Sequence, residues 1–394
     1  GFLKDAGDHY ELDGPLPALA IPTTLQESLI ARLDRLNTVK TIAQIGACIG
    51  REFSQELVAT ISPLSDTELQ VALRQLVEAQ IILPQGGATQ GSYTFKHALL
   101  QDAAYDSLLK GPRRQFHDRI ADGLISKFPD VVAKTPELLA SHLAKAERFD
   151  EAVHHWREAG LRATRASSNQ EAINHFEVAL EHLEKENKSL SRDKRELELQ
   201  TPLAMAMTSL HGHGSPKTGS VYERAFKLTQ DMDSPPELFQ ILYGLSSNRM
   251  NSDRFMEGLA IAKELAAYAD KSEDKAGNAV AHRWYGHYLF WPADLANSKI
   301  HLEKAIAAYE ELNFNRWVDE YGQDPKAMGL VYLAGVRMYQ GFIDEGKELI
   351  LESITHAESL EFPFGLAFCH CCAAIFLRMI DDVDAVEAHA EAQL

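Results

Sequence analysis

The chain has 394 residues, 45% of them apolar and 24% charged, the balance of a globular protein with room for two or three domains. Thirty-nine Lys plus Arg against 57 Asp plus Glu give a net charge of −18. A surface this acidic repels phosphate backbones and anionic lipid, which argues against a nucleic-acid or membrane-surface role. Four cysteines, three of them within residues 369–372, form no disulfide framework and suit a reducing, cytoplasmic setting. No apolar run is read as approaching the roughly 20 residues of a membrane helix. The opening Gly1-Phe2-Leu3-Lys4 has neither an initiator Met nor a signal-peptide pattern, so the chain is expected to be a piece of a longer one.

In chain order, Phe2-Leu3 and Tyr10–Leu12 read as a short extended pair, followed by a Pro-rich connector over 14–22. Thr24 and Glu27 predict a capping box for a helix with Leu25, Leu29, Ile30, Leu33 and Leu36 on one face. A second helix carries Val39, Ile42, Ala43, Ile45 and Ala47; Ser54 opens a third, and Ser65 with Glu68 caps a fourth. The period then turns extended: Ile81-Ile82-Leu83 and Tyr93-Thr94-Phe95 flank a glycine-containing loop over 85–92, a β-hairpin after a helix set and the order of a winged helix. A helix over about 97–109 closes this unit before Gly111-Pro112.

From Arg113 nearly everything is helical, with breaks near Pro129, Asn187, Gly212–Pro216, Pro235-Pro236, Lys271–Asp274, Pro292, Asp324-Pro325 and Pro363. Trp156, Ala159, Gly160, Ala163, Ala172, Phe176 and Ala179 match tetratricopeptide positions 4, 7, 8, 11, 20, 24 and 27. Small residues at 8, 20 and 27 let two antiparallel helices approach, while bulky ones at 4 and 24 fill the gap. Looser copies run through Gly286, Leu289, Ser298, Leu302 and Ala305, through Leu330, Ala334, Gly346 and Ile350, and through Gly258 and Ala262. The expected fold is therefore mostly α. A winged-helix-like domain over 22–112 precedes a tetratricopeptide-type α-solenoid over 113–394, truncated at its C-terminus, whose concave face takes a protein or peptide partner.

Ile21–Leu25, Ala31–Leu36, Ile49–Phe53, Tyr93–Tyr105, Arg113–His117 and Pro136–Ala140 together resemble one bacterial architecture. It joins a class III adenylate/guanylate cyclase, a STAND-type P-loop ATPase, a winged helix and tetratricopeptide repeats. The resemblance is dense from 21 to about 183 and looser beyond. It implies that residues 1–21 end the lid of an ATPase domain lying upstream in cis, where ATP or ADP and Mg would bind. No cofactor is expected in this chain. It also implies a sensor: Lys96–Asp102 is similar to the Met-His-Asp motif of nucleotide-binding leucine-rich-repeat receptors, so His97 becomes a candidate contact to a nucleotide phosphate, although Ala98 replaces the third residue. A plain helix cap is the structural alternative for His97.

Other constellations read as structural. His211–Thr218 is the one Gly-rich Lys-Thr segment, but His211 and Pro216 replace both glycines of a phosphate cradle, so no catalysis is expected from this chain alone. The helix before the hairpin holds Asp66, Glu68 and Glu78 against Arg74, and the wing lacks Lys and Arg, which speaks against DNA. Cys369, His370, Cys371 and Cys372 are neighbours on one helix and cannot converge on a metal. Glu184–Glu198 reads as a solvated, mixed-charge face. Trp284, Tyr285, Tyr288, Phe290 and Trp291 are weighed between core and ligand groove, with core preferred. The reading is a regulatory interaction segment of a signalling ATPase or nucleotide cyclase, with a free-standing scaffold or part of a STAND transcription regulator as alternatives.

Overall fold

The computed structural model describes residues 3–5, 10–12, 33–34, 38–85, 91–309, 324–360 and 363–392. The chain is a mostly α-helical solenoid of stacked helix pairs that follows, in sequence, a small winged-helix-like element. It divides into two compact units, Gly1–Ala159 with Glu181–Lys185, and Gly160–Leu180 with Glu186–Leu394.

In the first unit, strands β1 (Leu3–Asp5) and β2 (Tyr10–Leu12) pair antiparallel. The capping box at Thr24 and Glu27 lies outside the described residues. Helix α1 (Thr38–Ile49) buries Val39, Ile42, Ala43, Ile45 and Ala47. A Cβ on Gly46 would stand 2.8 Å from the Phe53 ring, so only glycine lets the helix lie on that ring. Phe53 belongs to β3 (Glu52–Ser54), a strand without a signature in the sequence because three residues are too short to show alternation. It joins the expected hairpin, β4 (Ile82–Pro84) and β5 (Ser92–Phe95), in the antiparallel order β3-β5-β4, with Phe53 opposite Tyr93 and Ile82 opposite Phe95.

The hydroxyl of Ser54 accepts the Leu57 N–H at 3.2 Å to start α2 (Gln55–Ile61). At α3 (Asp66–Glu78) the capping box closes both ways, with Ser65 N–H donating to Glu68 Oε2 at 2.9 Å. After α4 (Ala98–Asp106), helix α5 (Lys110–Lys127) takes Gly111-Pro112 into its first turn, so that pair is not the break the sequence suggests. Proline is tolerated there because first-turn N–H groups have no intrahelical acceptor. Helices α6 (Pro129–Lys134) and α7 (Pro136–Lys145) follow. Ile120, Ala121 and Leu124 of α5, Leu139 and Leu143 of α7, and Ala152 share one core with the winged helix.

Inside that core the Tyr105 hydroxyl meets His117 Nε2 at 3.0 Å, and His117 Nδ1 meets His142 Nδ1 at 2.9 Å. Such a chain requires one of the two facing Nδ1 atoms to carry hydrogen and the other a lone pair. Burial, reinforced by the nearby Lys145, pushes His117 down to about 4 and His142 to about 3.

The pair α8 (Phe149–Arg165) and α9 (Asn169–Leu183) carries the strong repeat match. In the second unit, helices stack as α10 (Leu190–His211) with α11 (Pro216–Thr229), α12 (Leu238–Met250) with α13 (Phe255–Ala269), and α14 (Lys275–Phe290) with α15 (Leu295–Ala307). Then come α16 (Pro325–Tyr339) with α17 (Ile343–Ser359), and α18 (Pro363–Leu377) with α19 (Val383–Ala392). One spacing recurs: Gly160, Ala206, Ser246, Gly286 and Ala334 each precede by 16 residues a buried side chain, Phe176, Tyr222, Ala262, Leu302 and Ile350. A Cβ on Gly160 would lie 2.5 Å from the Phe176 ring, and one on Gly286 2.8 Å from Leu302, so the glycines set the helix separation. The buried Ser298 hydroxyl ties the same crossing by donating to the Gly286 carbonyl at 2.8 Å.

Two further expectations need correction. Pro363–Ile380 is, by length and composition, long and apolar enough to cross a membrane, with 39% of it buried. Cys369, Ala373 and Phe376 on its inner side pack in the core of the last repeats, which accounts for part of its apolar content. Within Glu184–Glu198, Arg192 and Glu196 are buried, and Glu196 accepts a bidentate pair from Arg224 at 2.6 and 2.8 Å. Those positions of α10 face α11 instead of solvent.

Candidate functional site

Helices α12, α14, α16 and α18 are the first members of successive pairs, the position that lines the inner face of a stacked-helix array. Between them lies a cavity of about 290 Å³. Arg283, Trp284 and His287 reach it from α14; Tyr243, Ser247, Met250 and Asn251 from α12; Met328 from α16; and Phe364 with Phe368 from α18. His213, from the loop after α10, completes the lining. A larger hollow of about 640 Å³ shares Met250, Asn251 and His287 and adds Phe255, Met256, Trp291, Pro292 and Tyr332.

Local sequence explains the presentation. Helix α14 starts at Asp274, whose carboxylate accepts the Ala276 N–H at 3.1 Å. Its Gly286 lies against Leu302 of α15, while Arg283 and His287, one turn apart on a neighbouring stripe of the helix, line the cavity. Trp284 Nε1 donates to Ser246 Oγ at 2.7 Å and the Tyr288 hydroxyl to the Ser246 carbonyl at 2.5 Å, fixing α14 against α12.

The cavity is electrostatically unusual. Arg283 is only 2% exposed. Its guanidinium lies 4.9 Å from the Trp284 ring centre and hydrogen-bonds to Tyr243, while its Nε has no partner. Among the described residues no carboxylate stands within ion-pair distance of it. Burial pushes its ionisation down from the usual arginine range, with Tyr243 and Tyr332 opposing. Burial, and secondarily Arg283, holds His287 well below the usual imidazole range; its ring centre lies 4.0 Å from that of Tyr332, tilted by 35°, and its Nδ1 is unpartnered. His213, also lowered by burial, meets the Ser247 hydroxyl at 2.9 Å through Nδ1. At neutral pH the site thus holds two neutral imidazoles and one cation.

The residues singled out from sequence fall elsewhere or at its edge. His97 is exposed at the N-cap of α4, with no side-chain cap bond. Trp156 is half-buried against the first unit's core, and Ala159, Gly160, Ala163, Ala172, Phe176 and Ala179 are buried around the α8–α9 crossing. Gly286, Leu302 and Ala305 pack the back of α14. The aromatic cluster is split: Tyr288 and Phe290 are core, Trp284 is a cavity wall, and Trp291 is 53% exposed at the mouth. Cys369 and Cys372 are buried and Cys371 half-buried, and among the described residues no group of three His, Cys, Asp or Glu side chains is arranged to hold a metal. Arg283 and His287 were not anticipated; the available signal was a lone arginine inside the otherwise uncharged stretch Ala276–Phe290.

No protein-family model matches the chain. An uncharacterized protein of Rhizobium meliloti (strain 1021) is 22% identical over 325 residues, 79% of this chain and 30% of that protein. The chain thus spans about a third of the length of the curated relative it matches. Among solved structures it is similar to a STAND protein with a tetratricopeptide repeat sensor from Pyrococcus horikoshii, at TM-score 0.44 and 11% identity over 94% of this chain and 58% of that one. It is also similar to the apo form of RapI (TM-score 0.46, 11% identity, 92% and 85% covered) and to aspartyl phosphate phosphatase F of Bacillus subtilis (0.45, 10%, 95% and 85%).

Proposed function

We propose that this chain is a regulatory protein-interaction segment whose helix pairs bind an apolar stretch of a partner polypeptide on their inner face. The observation that carries the reading is the hollow of about 640 Å³ rimmed by large exposed apolar side chains, Met256 at 68% and Trp291 at 53%. Aromatic and methionine side chains at the edge of a concavity are the composition of recognition surfaces, since they bring area at low entropic cost. Photo-crosslinking tests it. A photoreactive residue at Trp291 is expected to capture a partner that Met256→Ala weakens, and one at Glu352 on α17 is not. Equal capture from both positions, or none from Trp291, sinks the reading.

A second reading is that the winged-helix-like unit reports the state of an ATP- or ADP-binding domain preceding it in cis. Its support is the resemblance over 21–183 together with an exposed His97 whose imidazole is not spent on capping α4. Partner binding would shift such a domain only by preferring one of its two states. In the longer protein, His97→Ala is expected to speed ADP release without changing the melting temperature. An unchanged ADP off-rate rules it out.

A further inference from the structure

We infer that the cavity among α12, α14, α16 and α18 is a binding site for a small monocarboxylic acid with an aromatic or apolar body, its carboxylate seated on Arg283. This goes beyond partner binding, because the ligand is a small molecule and requires no second protein.

Other buried arginines of this chain stand beside carboxylates. Arg249 is paired with Glu223, and Arg192 has Glu196 and Asp193 within 3.8 Å. Arg283, the most enclosed of the three, has an aromatic face and one tyrosine, and no carboxylate among the described residues pairs with it. An enclosed cation without a counter-charge is costly to keep, and a bound anion offsets that cost. Arg283 is moreover one of the residues that line the cavity.

Charge and shape select the anion. The two imidazoles of the site are neutral, so one positive charge matches one negative charge, and a phosphate dianion would bring a second charge with nothing to meet it. A planar guanidinium fork also suits the two oxygens of a carboxylate. The body of the ligand follows from the walls: Trp284, Tyr243, Phe368, Met250 and Met328 offer aromatic and thioether surface. At about 290 Å³ the cavity sits at the lower end of ligand pockets, roughly 300–1,000 Å³, which suits one ring and a short acid arm better than a peptide chain. The half-exposed Phe364 stands at its mouth.

Calorimetric titration of the full chain with benzoate, phenylacetate and hexanoate, without any partner protein, tests this. At least one acid is expected to bind saturably and its amide at least about tenfold more weakly, as the loss of a charge-assisted bond dictates. Phenyl phosphate is expected to bind more weakly than phenylacetate. Arg283→Met is expected to abolish acid binding while leaving the melting temperature equal or higher, since it removes an unpaired buried charge. Should that variant fail to fold, the acid-against-amide comparison on the unmodified chain still decides. No saturable binding by any of the three acids, equal binding of acid and amide, or tighter phenyl phosphate binding overturns the proposal. None of these outcomes bears on capture at Trp291, so the two readings fail separately.

Discussion

Acidification from pH 7 to pH 5 should loosen the first unit through the Tyr105–His117–His142 chain. His117 is fully buried and His142 3% exposed, and both are held neutral by burial, at about 4 and about 3. Unfolding returns each to an ordinary imidazole value of about 6.5. Because the folded values are the lower ones, the stabilisation is complete above about pH 6.5. It is lost as pH falls from there towards the folded values, while the unfolded state takes up protons that the folded state refuses. At pH 5 an unfolded imidazole is almost fully protonated and its buried counterpart almost not at all, which costs about 2 kcal/mol for each and about 4 kcal/mol for the pair relative to pH 7. Lys145 and Arg113, the cations nearest the chain, deepen the effect by disfavouring an imidazolium. Buried histidines of the second unit titrate as well, so the readout has to be local. Hydrogen exchange at the amides of α5 and α7, corrected for intrinsic rates, supplies opening free energies at both pH values. His117→Leu/His142→Leu should flatten that dependence, with protection at pH 5 relative to pH 7 recovering by up to about three orders of magnitude. An equal pH dependence in the variant and the unmodified chain would refute the reasoning.

Gly160→Ala should destabilise the chain by about 1–3 kcal/mol, because the clash with Phe176 outweighs the roughly 1 kcal/mol gain in helix propensity. Thermal unfolding checks this, and Phe176→Leu in the same chain should restore part of the loss. Ser65→Ala removes the reciprocal cap of α3 and should cost about 1 kcal/mol in urea unfolding. Ser298→Ala deletes the hydroxyl bond to the Gly286 carbonyl and should cost about 0.5–1.5 kcal/mol, the net value of one hydrogen bond at a carbonyl that lies within α14. A neutral result would mean the α14–α15 crossing holds by packing alone.

Features that depend on a few neighbouring residues were legible in the sequence. The caps at Ser54 and Ser65, the hairpin over 81–95 and the proline-marked helix breaks all follow from local rules. The repeat was legible where its residues are most characteristic, around Gly160, and blurred elsewhere because its interval is not constant. Ala206, Ser246 and Gly286 are 40 residues apart, but Gly160 precedes Ala206 by 46 and Ala334 follows Gly286 by 48. Tyr222 and Ala262 at the position held by Phe176 further obscure the copies, since a crossing needs complementary volumes and not fixed residue types. The candidate cavity was hidden for another reason. An arginine on a helix is ordinarily solvated, and only the arrangement of four helices shows that Arg283 is enclosed and has no carboxylate beside it among the described residues.

The cysteines, unremarkable as packing, supply each unit with its own chemical clock. Burial pushes the thiols of Cys48 and Cys372 up to about 12 and that of Cys369 to about 11, so scarcely any thiolate exists at physiological pH while the helices are closed. An alkylating reagent therefore modifies them at a rate set by opening: Cys48 times the winged-helix-like unit, and Cys369 with Cys372 the last repeats. Cys371, half-buried on the same helix, marks reagent access before opening. Differential labelling of one unmodified chain thus orders the loosening of its parts without any introduced probe.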